Sequence, residues 1–362
     1  MSPDRGGRWR RVKAKLPTVP VDDIRIHPRD QDLILGTHGR GVYILDDATS
    51  VLKLDEGKDA DLHLFEPRAA VQYRIYGHKA NTGNKTFLAP NPADGALLTY
   101  RLKAKPGEKD DVKVVVKNAA GETVRELKGT KDAGLNRVSW DLRHEPPVKP
   151  EPGEGGGGGF GGPPRGPLVP PGPYTVTVSV GAQTASRPLT VQEDPRLTAS
   201  AADRQAWYEA TRAAAKEWTR ADALNRTLQS LQKQATALQD SWKKDDATKP
   251  AEAVTAAVKA LADKVEPLAK RVNRQTPLGF AGAPLSADPD PLLNRARGAY
   301  FAAGSITAPP TPQQRDTFAR LTKELDEVTA AVNELVEKDV PALNRVLLDN
   351  GIGRVDQGKA IR

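Results

Sequence analysis

The clearest hydrophobic pattern lies in the C-terminal half of the chain, where apolar residues recur in steps of three and four positions. This spacing places them along one face of an α-helix. Three such stripes comprise Leu224, Leu228, Leu231, Ala235, Leu238 and Trp242; then Val254, Val258, Leu261, Val265, Leu268 and Val272; and finally Phe318, Leu321, Leu325, Val328, Val332 and Leu335. With a shorter helix around residues 291–303, they predict an antiparallel helical bundle over residues 198–350, followed by a tail at 351–362.

Capping signals mark where the predicted helices begin and end. Thr311-Pro312-Gln313-Gln314 has the threonine, proline and glutamine of a capping box. Ser200 to Asp203 is a similar start signal, in which an aspartate replaces the usual Glu or Gln. Asn350-Gly351 predicts the end of the last helix, and residues 277–291, rich in Gly, Pro and Ala, predict a loop.

The N-terminal half instead alternates apolar and polar residues, as half-buried β-strands do. Strands are predicted at Val21–Ile26, Leu33–Thr37 and Gly41–Leu45. A second group predicts a β-sandwich over residues 67–193, with strands at 97–102, 112–116, 123–127, 133–141 and 171–178. A Gly- and Pro-rich stretch at 145–173 interrupts it. Its glycine run, Gly155–Gly159, is not followed by the Lys-Ser/Thr of a phosphate loop, which favours a flexible insertion.

Three tryptophans are candidates either for packing or for binding. Trp140 is expected to fill the sandwich core, the alternative being a ring that stacks on carbohydrate. Trp207 and Trp218 are eleven residues apart, so their rings share one face of the first long helix. They either seal the bundle against the sandwich or bind a partner. The neighbouring alanines favour sealing, because small residues allow close helix packing; these are Ala210, Ala213, Ala214 and Ala221.

Composition narrows the function classes. The 362 residues allow two or three domains. The formal net charge is +8, but basic and acidic residues are mixed except between Arg5 and Lys15. Basic and aromatic residues are not interleaved on one face, so no nucleic-acid partner is expected. Without cysteine there is no disulfide or thiolate metal site, and no run of 18 apolar residues predicts a membrane span.

Candidates for catalysis are few. No two of the five histidines have the helical i, i+4 spacing of a metal site. His38 lies among glycines and polar residues in Thr37-His38-Gly39-Arg40, where a structural turn hydrogen bond is favoured over a functional role. Asp46-Asp47 could coordinate a cation, although paired acids at a strand end are more often solvated. No nucleophile, zinc or phosphate motif occurs, so no catalytic residue, cofactor or metal is predicted.

The first residues carry a turn motif. Ser2, Asp4, Gly6 and Trp9 have the spacing S-x-D-x-G-x-x-W, which resembles the Asp-box of β-propellers of the bacterial neuraminidase (BNR) type. In that family the box is a hairpin turn within a blade, away from the catalytic face. The serine and aspartate side chains bind nearby amides, the glycine permits a positive φ, and the tryptophan is expected to pin the turn against the blade below.

Two further stretches resemble known families. Residues 32–47 look like the closing blade of large secreted bacterial proteins related to Vps10/sortilin propellers, often labelled glycosyl hydrolase or sialidase-like. Within residues 121–178, a glycine turn, then Val-Arg-x-Leu, then Ala-Gly-x-Asn before Trp-Asp, and then Gly-x-Tyr resemble the FlgD-type immunoglobulin-like domain. Leu142 stands where that family usually has glycine after Trp-Asp.

Together the resemblances imply a multidomain β + α chain. Terminal β-propeller blades are expected at 1–66, a FlgD-like Ig-type β-sandwich at 67–193 and the helical bundle after it. The chain is then the C-terminal part of a secreted or periplasmic protein whose upstream blades are missing here. The implied function is non-catalytic, namely structural support or binding of a protein or glycan. The alternative is part of a sialidase-like glycoside hydrolase whose catalytic blades lie upstream.

Overall fold

The computed structural model describes residues 2, 6–9, 18–73, 85, 91, 93–149, 164–243, 250–274, 290–305 and 307–361. The fold is mixed α+β: N-terminal β-sheets, including one curled into a half-barrel, precede a bundle of about four helices. The predicted order of β-structure and helices is therefore confirmed. The chain divides into two compact units, one of Met1–Glu145 with Leu168–Thr198 and one of Pro146–Pro167 with Ala199–Arg362.

The first sheet is a three-stranded antiparallel meander. It consists of β1 (Val21–Ile26), β2 (Leu33–Thr37) and β3 (Val42–Leu45) in that order, which confirms the three predicted strands. In the hairpin between β2 and β3, the amide and the hydroxyl of Thr37 both donate to the carbonyl of Gly41, at 3.1 and 2.7 Å. Gly41 has a φ of +76°, which glycine adopts without strain. A short helix, α1 (Thr49–Leu52), follows.

Two further sheets complete the first unit. Their strands are β4 (Leu62–Leu64), β5 (Ala70–Gln72), β6 (Ala96–Leu102), β7 (Val112–Asn118), β8 (Thr123–Lys128), β9 (Gly134–Trp140), β10 (Gly172–Val180) and β11 (Gln183–Glu193). One sheet has the order β5-β11-β10-β7-β8, and the other has the order β4-β6-β9. The strands predicted in this region are confirmed, whereas β4, β5 and β11 were not predicted.

The two sheets bury one face each and meet at aromatic rings. In β7 the valines at 112, 114 and 116 are buried, whereas Lys113 and Lys117 are exposed. Trp140 of β9 is fully buried, and its ring lies edge-on to that of Tyr174 of β10, with 5.5 Å between centroids. The prediction that Trp140 is a core residue is therefore confirmed. A ring without exposed surface cannot stack on a carbohydrate.

The helical unit contains α2 (Ala201–Lys243), α3 (Glu252–Val272), α4 (Leu292–Ser305), α5 (Pro312–Glu334), a π-helical turn (Leu335–Asp339) and α6 (Val340–Asp349). The predicted apolar stripes form its core. The capping box is confirmed, because the Thr311 hydroxyl accepts from the Gln314 amide and the Gln314 side chain accepts from the Thr311 amide, at 3.2 and 2.8 Å. The predicted stop at Gly351, with a φ of +70°, is also confirmed.

Part of the predicted insertion at 145–173 packs with the helices. The Thr219 hydroxyl donates to the carbonyl of Pro147 at 2.8 Å, and the Tyr300 hydroxyl donates to that of Arg165 at 2.5 Å. The glycine run lies outside the described residues, as does most of the predicted loop at 277–291. Residues 146–167 of the predicted insertion therefore belong to the helical unit, whereas residue 145 and residues 168–173 belong to the first unit, in which Gly172 and Pro173 begin β10.

Candidate interaction surfaces

The β1–β3 sheet carries apolar side chains on both of its faces. Residues that pair across antiparallel strands point to the same face. One face therefore holds two cross-strand rows, Ile24 with Leu35 and Tyr43, and Ile26 with Leu33 and Leu45. The other face holds Ile34, Ile44 and Val42 of β2 and β3, beside the exposed Asp23–Arg25 ion pair of β1. A strand with one solvated face alternates apolar and polar residues, as β1 does, whereas β2 and β3 carry apolar residues on both faces.

Several residues on these two faces are nevertheless exposed. Ile24 is 61% exposed on the first face, and Ile44 and Val42 are 59% and 64% exposed on the second. Isolated exposed apolar residues are ordinary, but a two-sided apolar sheet marks a surface that contacts another protein element. The β1–β3 sheet is accordingly the strongest candidate for an interaction surface in the first unit.

A second cluster lies where this sheet joins the next one. Arg137 of β9 donates to the carbonyls of Asp46 and Asp47, at 2.6 and 2.7 Å. The Asp47 amide in turn donates to the carboxylate of Asp32 at 2.9 Å. Burial, and then the negative charge of Asp32, raise the pKa of the Asp46 carboxyl. The arrangement fixes the backbone after β3 rather than presenting oxygen ligands.

Both interpretations of Asp46-Asp47 made from sequence need correction. Asp47 is only 6% exposed, so it is not a solvated acid, and its carboxylate accepts from the Thr49 amide at 3.3 Å at the start of α1. Within the described ranges, no group of three or more His, Cys, Asp or Glu side chains could hold a metal ion. The pair is a structural junction. The signal that sequence reasoning missed is Arg137, which lies about ninety positions further along the chain.

The Asp-box residues are partly visible. The Gly6 amide donates to the Ser2 hydroxyl at 2.6 Å, and Gly6 has a φ of +103°. Both features suit the predicted turn, whereas Asp4 lies outside the described residues. Trp9 is 76% exposed, so its ring does not pin the turn against a sheet of this chain as expected.

His38 has the surroundings of a turn residue. Its amide donates to the carbonyl of Pro20 at 3.0 Å, and its imidazole lies 3.2 Å from the carboxylate of Asp22. The His38 side chain is 78% exposed. A surface imidazole with one carboxylate neighbour resembles an ordinary ion pair, and the structure brings no nucleophile to it among the described hydrogen bonds.

The two tryptophans of α2 are buried against α4. The Trp207 indole N–H donates to the carbonyl of Ala303 at 2.7 Å, and the Trp218 ring lies 5.4 Å from that of Tyr300. Trp207 and Trp218 are 3% and 7% exposed. The alternative that their rings await a partner is therefore wrong, because buried rings present no binding surface. Burial of the two rings is therefore as predicted, but their contacts are with α4 of the helical unit, whereas the prediction named the sandwich as the element they seal against.

Comparisons with known proteins add no assignment. No protein-family model matches the chain, and no curated protein is significantly similar to it. None of the helices in the described part of the chain combines the length and the apolarity that a bilayer crossing requires.

Proposed function

We propose that this chain is a non-catalytic region of a secreted or periplasmic β-propeller protein, giving structural support or binding a protein or glycan. In this proposal the β1–β3 sheet is a propeller blade. The observation that supports it is the apolar character of both faces of that sheet. Blades of a propeller are covered on both faces, because each one packs between two neighbours around the ring.

The physical argument is one of burial. Packed sheets lie about 10 Å apart with their side chains interdigitated. Covering the exposed parts of Ile24, Ile44 and Val42 would contribute roughly 2 kcal/mol each, at about 25 cal/mol per Å² of apolar area. Trp9 fits the same proposal, since its exposed ring is available to an adjacent blade. The second and third sheets are proposed to form the Ig-like sandwich, which the Trp140–Tyr174 contact supports.

The exposed faces can be tested on the purified chain. Ile24→Thr with Ile44→Thr changes one residue on each face. We expect it to lower the fluorescence of a bound apolar dye and any concentration-dependent self-association severalfold, with little change in melting temperature. Leu135→Thr is the matched control. Leu135 is 39% exposed on β9, and β9 belongs to the β4-β6-β9 sheet and not to the β1–β3 sheet. Equal dye binding by wild type, double variant and control would contradict the proposed surface.

The propeller assignment has a separate test. The genomic sequence upstream of Met1 would support it if the reading frame continues there into further Asp-box repeats of roughly 40–45 residues. Glycosidase turnover by the purified chain, abolished by a point mutation within it, would overturn the non-catalytic assignment.

A further inference from the structure

The C-terminal segment, residues 351–361, is held on the helices by side-chain amides that each engage both backbone groups of one residue. Asn344 of α6 donates to the carbonyl of Val355 at 2.9 Å and accepts from its amide at 2.8 Å. Asn333 of α5 does the same with Ile361, at 2.9 and 2.8 Å. Each asparagine therefore replaces the pair of hydrogen bonds that a neighbouring β-strand would supply.

A glutamine on a third helix repeats the arrangement. The Gln234 side chain of α2 accepts from the Asp356 amide at 2.7 Å and donates to its carbonyl at 3.3 Å. Three helices thus each contribute one amide, and we call these three pairs the amide clamps. Since the clamps bind only main-chain atoms, they would hold a segment of almost any sequence that has the same backbone path.

The π-helical turn adds a selective contact. The Val340 amide bonds to the carbonyl of Leu335, five residues back, so the Val336 carbonyl would need the amide of residue 341. That residue is proline and has no N–H to donate. The Gln357 side chain satisfies the Val336 carbonyl instead, at 2.6 Å.

Two branched apolar side chains anchor the segment at positions six residues apart. Val355 is 5% exposed and belongs to the bundle core, and Ile361 packs partly against the same core. The residues between them are largely exposed, and Gly358 has a φ of +70°. Main-chain hydrogen bonds give affinity and side-chain pockets give specificity when an extended peptide binds to a sheet edge, and the clamps and anchors supply the same two kinds of contact here.

We propose that the groove formed by α2, α5, the π-helical turn and α6 is a binding site for a non-helical peptide of a partner protein. Residues 354–361 occupy this groove in cis as a competing ligand. The partner peptide would carry a branched apolar residue, a glutamine two positions later and a second branched apolar residue six positions after the first. This inference goes beyond the proposed function and depends on the helical unit alone.

Residues 354–361 and an added peptide would compete for the same groove. A tethered segment acts at an effective concentration of roughly millimolar, so a peptide added in trans meets a groove that is mostly filled. Removing the two anchors should therefore expose the groove. We call the double variant Val355→Asp, Ile361→Asp of the full chain the anchor variant. It has no apolar side chain at either anchor position, and it keeps every clamp residue on the helices.

The test measures binding of a fluorescently labelled peptide of residues 351–361 by anisotropy. We expect the anchor variant to bind it at least tenfold more tightly than the wild-type chain. Adding Asn344→Ala and Asn333→Ala to the anchor variant should weaken binding at least tenfold. Asn350→Ala is the matched control and should change nothing, because the Asn350 amide donates to the carbonyl of Val346 and to no residue of the segment.

Several outcomes would overturn the inference. One is an anchor variant that keeps its helical circular dichroism and still fails to bind the peptide. Another is a dimer whose population follows release of the segment, because the partner would then be a second copy of this chain. If the anchor variant does not fold, hydrogen exchange in the wild-type chain tests whether the segment leaves the groove. The inference requires the amides of Val355 and Ile361 to open at least tenfold more often than those of α6, and equal protection would make the segment an integral part of the bundle.

Discussion

Arg137 donates a hydrogen bond of 2.7 Å to the carbonyl of Asp47, a residue whose backbone has a φ of +46°. A non-glycine residue in this left-handed region costs about 1–2 kcal/mol. The surrounding contacts therefore have to hold it in place. Arg137 binds the carbonyls of both Asp46 and Asp47, so this one side chain fixes the backbone that leaves the β1–β3 sheet.

Arg137→Met should loosen that junction. The change keeps an unbranched apolar stem but leaves two carbonyl acceptors without their donor, which we expect to cost about 2–3 kcal/mol. Hydrogen exchange at the amide of Ala48, which donates to Gln31 at 2.9 Å, should become faster. Arg25→Met is the control, since the Arg25 side chain is 76% exposed in its ion pair with Asp23. Unchanged exchange at Ala48 would show that the two Arg137 hydrogen bonds are not needed to hold this junction.

At Leu142 we expect a glycine variant to be more stable than an alanine variant, which is the reverse of the usual order. Leu142 has a φ of +56° and is 2% exposed. Both Leu142→Ala and Leu142→Gly lose the buried side chain, at about 2–5 kcal/mol. Glycine alone relieves the left-handed strain, so Leu142→Gly should be more stable than Leu142→Ala by about 1 kcal/mol.

The same pair of substitutions at Leu98 provides the control for Leu142. Leu98 is fully buried within β6, where glycine is the less stable replacement because it loses more backbone entropy. Urea denaturation of the four variants measures both differences. If glycine were worse than alanine at both positions, backbone strain would not distinguish Leu142.

The helices were predictable because their determinants are local. Residues three and four apart share a face whatever they pack against, and the Thr311 capping box needs only four consecutive residues. The hairpin between β2 and β3 was predictable for the same reason. Turn glycines and alternating strands both act over a few positions.

The junction and the amide clamps were not predictable because they join distant positions. No local pattern connects Arg137 to Asp47, or Asn333 to Ile361. One signal was present for the amide clamps. An asparagine inside an amphipathic helix, such as Asn344, is a poor helix former, so its side chain is a candidate for a hydrogen bond that stabilises another element.

His63 predicts how stability depends on pH. Its Nε2 atom is buried without a hydrogen-bond partner among the described residues. Burial, and then the charge of Arg187, lower the pKa of the imidazole below its usual 6.5. The folded state therefore binds fewer protons than the unfolded chain near that pH, so this contribution to stability is present above pH 6.5 and is lost as the pH falls below it.

The measurement for His63 compares melting temperatures at pH 8 and pH 5.5. His63→Leu should reduce the difference between the two values, because leucine does not titrate. Phe65→Leu is the control, since it removes the ring that lies 4.7 Å from that of His63 but leaves the titrating group. Identical pH dependence in the wild type and His63→Leu would assign the effect to other titrating groups.

The double variant Trp207→Ala, Trp218→Ala tests whether these rings hold α2 and α4 together. Each ring is buried against α4, and loss of a buried tryptophan costs about 3–5 kcal/mol. The melting temperature of the helical unit, followed by circular dichroism at 222 nm, should therefore fall by several degrees or more. Trp9→Ala is the matched control and should leave melting unchanged, because that ring is 76% exposed. A double variant that melts like the wild type would mean that Tyr300 and Phe301 repack to fill the space, and that the tryptophans do not determine helix pairing.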